Sequence, residues 1–173
     1  KGSKNHQKPA PKLTPDLTLL QGMIRGIVAR IAPMTVNHIV LDGHFGNYPA
    51  TYAIRETGLH IISKMRHDAA LYLPYAGPKP RRGPTPRYGQ KLDCQRLPPQ
   101  TLCHSVVEGD YRIDTYQMQV FHRSFSDALN VVVVVKTHLK TEKRGHVVLF
   151  STDLELTVDQ IVDYYALRFQ IEF

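Results

Sequence analysis

The stretch from His38 to Lys64 limits the folds open to this chain more than any other. His38-Ile39-Val40-Leu41-Asp42 reads as a short buried strand that ends on a carboxylate. Gly43-His44-Phe45-Gly46 follows and needs a permissive backbone. A helix then begins near Asn47 or Tyr48, with Pro49 in its first turn and Gly58 where a C-terminal cap is expected. Leu59-His60-Ile61-Ile62-Ser63-Lys64 is a second strand. Strand, helix and strand in so short a span predict a right-handed βαβ unit with parallel strands. Asp42 then stands at the carboxyl end of a central strand, where open α/β sheets place ligands and catalytic groups.

Before this unit, Thr14-Pro15-Asp16 combines a capping hydroxyl, a proline at the first helical position and an acid for the helix dipole. Leu17, Leu20, Ile24, Ile27, Val28 and Ile31 recur at helical spacing until Pro33. Residues 1–13, with Lys1, Lys4, Lys8 and Lys12, read as a basic lead-in or linker. After the unit, Pro74 to Lys91 is rich in Pro, Gly, Arg and Lys and contains no acid, which excludes a regular helix or a central strand. Its Lys79, Arg81, Arg82 and Arg87 suit either a solvated loop or contacts to DNA phosphates. Tyr111–Arg123, Asn130–Thr137 and His146–Ser151 then predict a meander of antiparallel strands. The unbroken apolar run Val131–Val135 predicts a strand covered on both faces.

Composition narrows the function classes. A formal charge of +7 and a pI near 9.5 favour polyanionic partners such as nucleic acid. Cys94 and Cys103 are the only cysteines, too few for a disulfide framework or a four-cysteine zinc site. Cys103-His104 reads as a thiol beside a polar residue rather than half of a metal site. No apolar run approaches the ~20 residues that span a bilayer, and no secretory leader is visible, so a reducing cytoplasm is the expected compartment.

The last helix starts at a capping box, with Thr157 as N-cap and Gln160 three residues on. At about 100° per residue, Tyr165, Arg168 and Glu172 fall within about 60° of one another, beside an apolar stripe of Val158, Val162, Phe169 and Phe173. By itself this is also what a surface Arg–Glu pair worth about half a kcal/mol looks like.

The run Tyr165-x-x-Arg168-x-x-x-Glu172 resembles the Tyr-x2-Arg-x3-Glu-x6-Lys motif of a large group of bacterial insertion-sequence DDE transposases. Ser151–Thr157 is similar to the strand-to-helix approach to that motif, and Leu41–Asn47 to the segment around the family's second catalytic aspartate. The resemblance covers nearly the whole chain from about Leu17. It implies an α/β fold: part of an RNase H-like core, the βαβ unit plus the C-terminal glutamate helix, with a β-strand-rich insertion. Residues 14–73 would be core, 74–152 the basic loop and insertion, and 153–173 the catalytic helix. It further implies cut-and-paste transposition by DNA cleavage and strand transfer. Asp42 and Glu172 would hold Mg²⁺ or Mn²⁺, and Tyr165 and Arg168 would contact transposon-end DNA. Lys79, Arg81, Arg82 and Arg87 would be further backbone contacts, in a homodimer bound to DNA near the nucleoid. For His44, beside the aspartate, a polar loop role is expected.

The chain departs from the pattern in three places. The motif's lysine would fall beyond Phe173, Phe169 stands where tryptophan is common, and no residue before Asp42 can be the first aspartate, since Asp16 sits in a helix cap. The expectation is a fragment with two of the three acids and little activity of its own. A rival assignment makes Asp42 the first acid and Asp153 the second. Readings from other classes are a non-catalytic DNA-binding module and an inactive transposase remnant.

Overall fold

A computed structural model describes residues 9–31 and 34–168. Helix α1 (Pro15–Arg30) begins where Thr14 Oγ1 accepts the Leu17 N–H. Strand β1 (His38–Val40) leads through a single 3₁₀ turn (Gly43–Phe45) to α2 (Tyr48–Arg55), and β2 (His60–Met65) pairs parallel with β1. Gly58, at φ +87°, makes the turn between α2 and β2 that a Cβ would strain. The expected helix and βαβ unit are therefore present, but β1, expected to be central, stands at the end of the strand order among the described residues, with β2 as its one neighbour.

Next come β3 (Leu71–Pro74), β4 (Tyr88–Lys91), β5 (Leu102–Glu108), β6 (Tyr111–His122), β7 (Leu129–His138) and β8 (Arg144–Ser151). Helix α3 (Val158–Leu167) closes the described part. The strands form one sheet in the order β1-β2-β8-β7-β6-β3-β4, with β5 also paired to β6. The β6–β7–β8 meander is antiparallel as expected. It continues the sheet of the βαβ unit, because β8 pairs antiparallel with β2 from Ile62↔Ser151 to Met65↔Val148. Strands β3, β4 and β5 have no counterpart in the sequence reading. Residues of β5 are exposed on both faces, so it carries no burial pattern, and β4 is a four-residue strand at the end of the sheet order, a position that a Gly-containing segment tolerates.

The sheet is covered on both sides. Ile61, Met118, Val120, Val131, Val133, Val135, Val148 and Phe150 pack with Ile24 of α1 and Ile54 of α2. Ile62, Val132 and Leu149 pack instead with Val158, Ile161 and Tyr165 of α3. The unbroken valine run of β7 is explained by this two-sided cover, since alternate side chains enter different cores.

Candidate functional site

Two segments far apart in sequence meet at the carboxyl end of β1. Asp42 leaves the strand with its backbone carbonyl accepting the Ser63 hydroxyl at 2.8 Å, while Leu41 N–H donates to Ile62 O at 3.0 Å. Its Oδ1 accepts the Gly43 N–H and so caps the 3₁₀ turn. The turn lies tight against β2: a Cβ at Gly46 would overlap the Lys64 carbonyl oxygen, and one at Gly43 would come within 3.3 Å of it. Small residues here keep Asp42 close to the sheet.

Helix α3 delivers the other half. Thr157 and Gln160 form the expected capping box. The connection before it is pinned by side chains the sequence reading did not single out. Gln117 Nε2 and Asn130 Nδ2 donate to Leu156 O at 2.7 and 2.8 Å, and Asn130 Nδ2 also reaches Asp153 O at 3.2 Å. Asn130, buried at the start of an apolar strand, was the available signal, because a buried amide needs partners. Val158, Ile161 and Tyr165 form the buried stripe of the helix. Tyr165 thus lies within the stripe rather than beside it, and Val162 is only half-buried. Burying Tyr165 turns the next residue on that face, Arg168, toward the end of β1.

Arg168 Nη1 comes to 3.5 Å from Asp42 Oδ2, and the guanidinium lies 5.6 Å from the Tyr165 ring centroid. Burial pushes the Tyr165 phenol above its ordinary pKa; Arg168 opposes this and the Asp42 charge adds to it. The Asp42 side chain is 60% exposed and that of Arg168 21%, so the pair contributes at most about 1 kcal/mol. The arrangement presents an accessible carboxylate and a half-buried guanidinium to solvent. Asp42 fits the role of one ligand to a hard, oxygen-seeking divalent cation. Among the described residues no group of three His, Cys, Asp or Glu side chains is gathered to complete such a site. Glu172, Phe169 and Phe173 lie outside the described residues.

The other predicted residues are placed differently. Lys79, Arg81 and Arg82 are exposed on the segment between β3 and β4. Arg87 is held within the fold: its guanidinium donates to Ser126 O and lies 4.3 Å from the Phe121 ring centroid. His44 packs edge-on against Phe45, with ring centroids 5.2 Å apart. Cys103 is exposed and Cys94 half-buried, and His104 pairs with Asp159 at 3.1 Å. No helix among the described residues is long and apolar enough to cross a membrane.

Asp153 stands at the opposite end of β1 from Asp42. Its Oδ2 is 2.8 Å from His38 Nε2 at the first residue of that strand, and four residues of extended chain separate His38 from Asp42 by about 13 Å. His60, level with His38 on β2, shares this cluster through Thr152 Oγ1 at 3.3 Å from its Nδ1. Burial and then Arg55 hold His60 below its ordinary pKa of 6.5. The folded state therefore binds that proton less readily than the unfolded chain, and stability falls as pH drops from 6.5 through the lowered value. Burial pushes Asp153 up, but the Glu155 N–H and His38 outweigh it and hold the carboxyl below 3.8. Its contribution is lost only as the pH falls through that lower value. Between about pH 7.5 and pH 5.5 the thermal midpoint is therefore expected to drop, and His60→Gln should flatten that drop. An unchanged slope in the variant would remove His60 as its source.

The family model described as "DDE superfamily endonuclease" matches residues 3–124, a span that contains Asp42, its loop and the basic segment. A comparison with curated proteins finds no match. The family match spans most of the chain, and the chain belongs to the DDE superfamily endonuclease family.

Proposed function

We propose that this chain is the catalytic-domain part of a DDE transposase that cleaves DNA at transposon ends and joins the freed strand to a target. The observation that carries this reading is the meeting of Asp42 and Arg168, 126 residues apart, at the carboxyl end of β1 in a member of an endonuclease family. Asp42, with Glu172 four residues beyond Arg168 in the sequence, would hold Mg²⁺ or Mn²⁺. Divalent ions in such enzymes activate the attacking water or 3′-hydroxyl and stabilise the leaving oxygen. The chain's own residues bind and orient. The Arg168 guanidinium takes a phosphate oxygen of the transposon end, and Tyr165, buried beneath it, fixes its direction. Lys79, Arg81 and Arg82 add backbone contacts that raise affinity without reading sequence. The Ser63 hydroxyl and the tight Gly43–Gly46 turn position Asp42. Paired ends would be processed by a homodimer.

The test is Mg²⁺-dependent cleavage of DNA carrying the repeats that flank the gene, by the full-length protein. Glu172→Gln is expected to abolish cleavage. Retained cleavage would sink the assignment of Glu172. DNA binding with no cleavage under any divalent ion would favour a non-catalytic binding module, which the exposed basic segment could support alone.

A further inference from the structure

Lys64 occupies a place that the motif does not describe. Strands β1 and β2 run parallel with Val40 level with Ile62, so the register carried two residues on sets Lys64 level with Asp42. The contacts agree, since the neighbouring Ser63 hydroxyl bonds the Asp42 carbonyl and Gly43 lies against the Lys64 stem, an ideal Cβ there falling 3.5 Å from Lys64 Cβ. Side chains alternate along a strand, so Lys64 shares the face of Ile62, and its cross-strand partner is Leu149. Both Ile62 and Leu149 pack in the cluster that contains Tyr165. Lys64 therefore stands on the α3 side of the sheet, at the end where α3 brings Arg168 to Asp42. It is exposed, and among the described residues no carboxylate pairs with it, whereas Arg168 faces Asp42.

We propose that Lys64 is a second phosphate-binding residue of this site, holding a backbone phosphate of the DNA strand laid beside Asp42. This rests on the DNA-processing function proposed above. An ammonium on a flexible stem suits this task, because it supplies a point charge at the mouth of the site while Arg168 supplies a fixed fork. As a phosphate contact it positions the strand and carries no sequence information.

Counterion release gives a readout that a merely structural lysine would not move. Binding of a duplex carrying the flanking repeat is measured by fluorescence anisotropy without divalent ion, over about 50–300 mM KCl. Lys64→Gln is expected to reduce the slope of log Kobs against log [salt] by about 0.9 and to weaken binding several-fold at the lowest salt, and Lys64→Arg to restore both. An unchanged slope in Lys64→Gln, with the slope reduced in Arg168→Gln, overturns the assignment of Lys64 and leaves the proposed function standing. Equal losses in Lys64→Gln and Lys64→Arg would mark a structural role and also overturn it. If the parent chain shows no salt-dependent DNA binding, the proposed function itself fails.

Discussion

Asp42→Asn is expected to reduce Mg²⁺-dependent DNA cleavage by the full-length enzyme more than about a hundredfold while leaving the fold intact, since removing even an outer-shell partner of a metal ligand costs about 10–100-fold. The fold should survive because asparagine is as good a cap as aspartate, and the Gly43 N–H keeps its acceptor. What disappears is the negative charge facing Arg168. DNA binding in the absence of divalent ion should therefore move the other way. An exposed ion pair is worth up to about 1 kcal/mol, so freeing Arg168 and removing a like charge from the path of the phosphates should tighten binding by up to about fivefold. Cleavage assays and metal-free anisotropy on one preparation separate the two effects. Undiminished cleavage would remove Asp42 from the catalytic set, and weaker metal-free binding would contradict the arrangement of Asp42 and Arg168.

Phe150→Ala is expected to cost about 3–5 kcal/mol, a large share of the ~5–15 kcal/mol that holds a domain of this size together. The side chain is fully buried, and its ring meets that of Phe125 at 5.9 Å and 73°, an edge-to-face contact. Phe150 lies between Ser63 of β2 and Val131 of β7, so the resulting cavity would open where the βαβ unit joins the meander. Urea unfolding at constant slope would show the loss as a lower midpoint. A loss below about 1 kcal/mol would mean that the cluster closes over the gap, contrary to the dense packing of this face.

The parts of the fold with strong local rules were legible in the sequence. Thr14 and Thr157 announce helices because a side-chain oxygen must satisfy an orphan N–H, and both do so. Gly58 announces a turn because few other residues tolerate its φ. The βαβ unit and the meander follow from alternation and length. Strand β5 was not legible, because it is held by hydrogen bonds to β6 and buries neither face. The join of β8 to β2 was not legible either, since strand order is decided by distant pairings rather than local pattern. At the site, the helical spacing of Tyr165 and Arg168 predicted a shared face, and Asp42 followed from its strand end. The roles of Ser63 and Gln117 depend on partners 21 and 39 residues away, which no local pattern reveals, and Asn130, an amide opening an apolar strand, signals a need for partners without naming Leu156, 26 residues away.

The contact between Asp42 and Arg168 also fixes when the site can exist. Its two halves come from the end of β1 and from α3, and α3 packs on β2, β7 and β8, so these strands must be ordered before the guanidinium reaches the carboxylate. Contacts of such long sequence separation pay their loop-closure entropy late and form slowly. A chain emerging from synthesis would carry Asp42 and β2 well before Arg168 could join them. Competence to act on DNA would then be a property of the completed chain, and partial products would pass the time of translation without an assembled site.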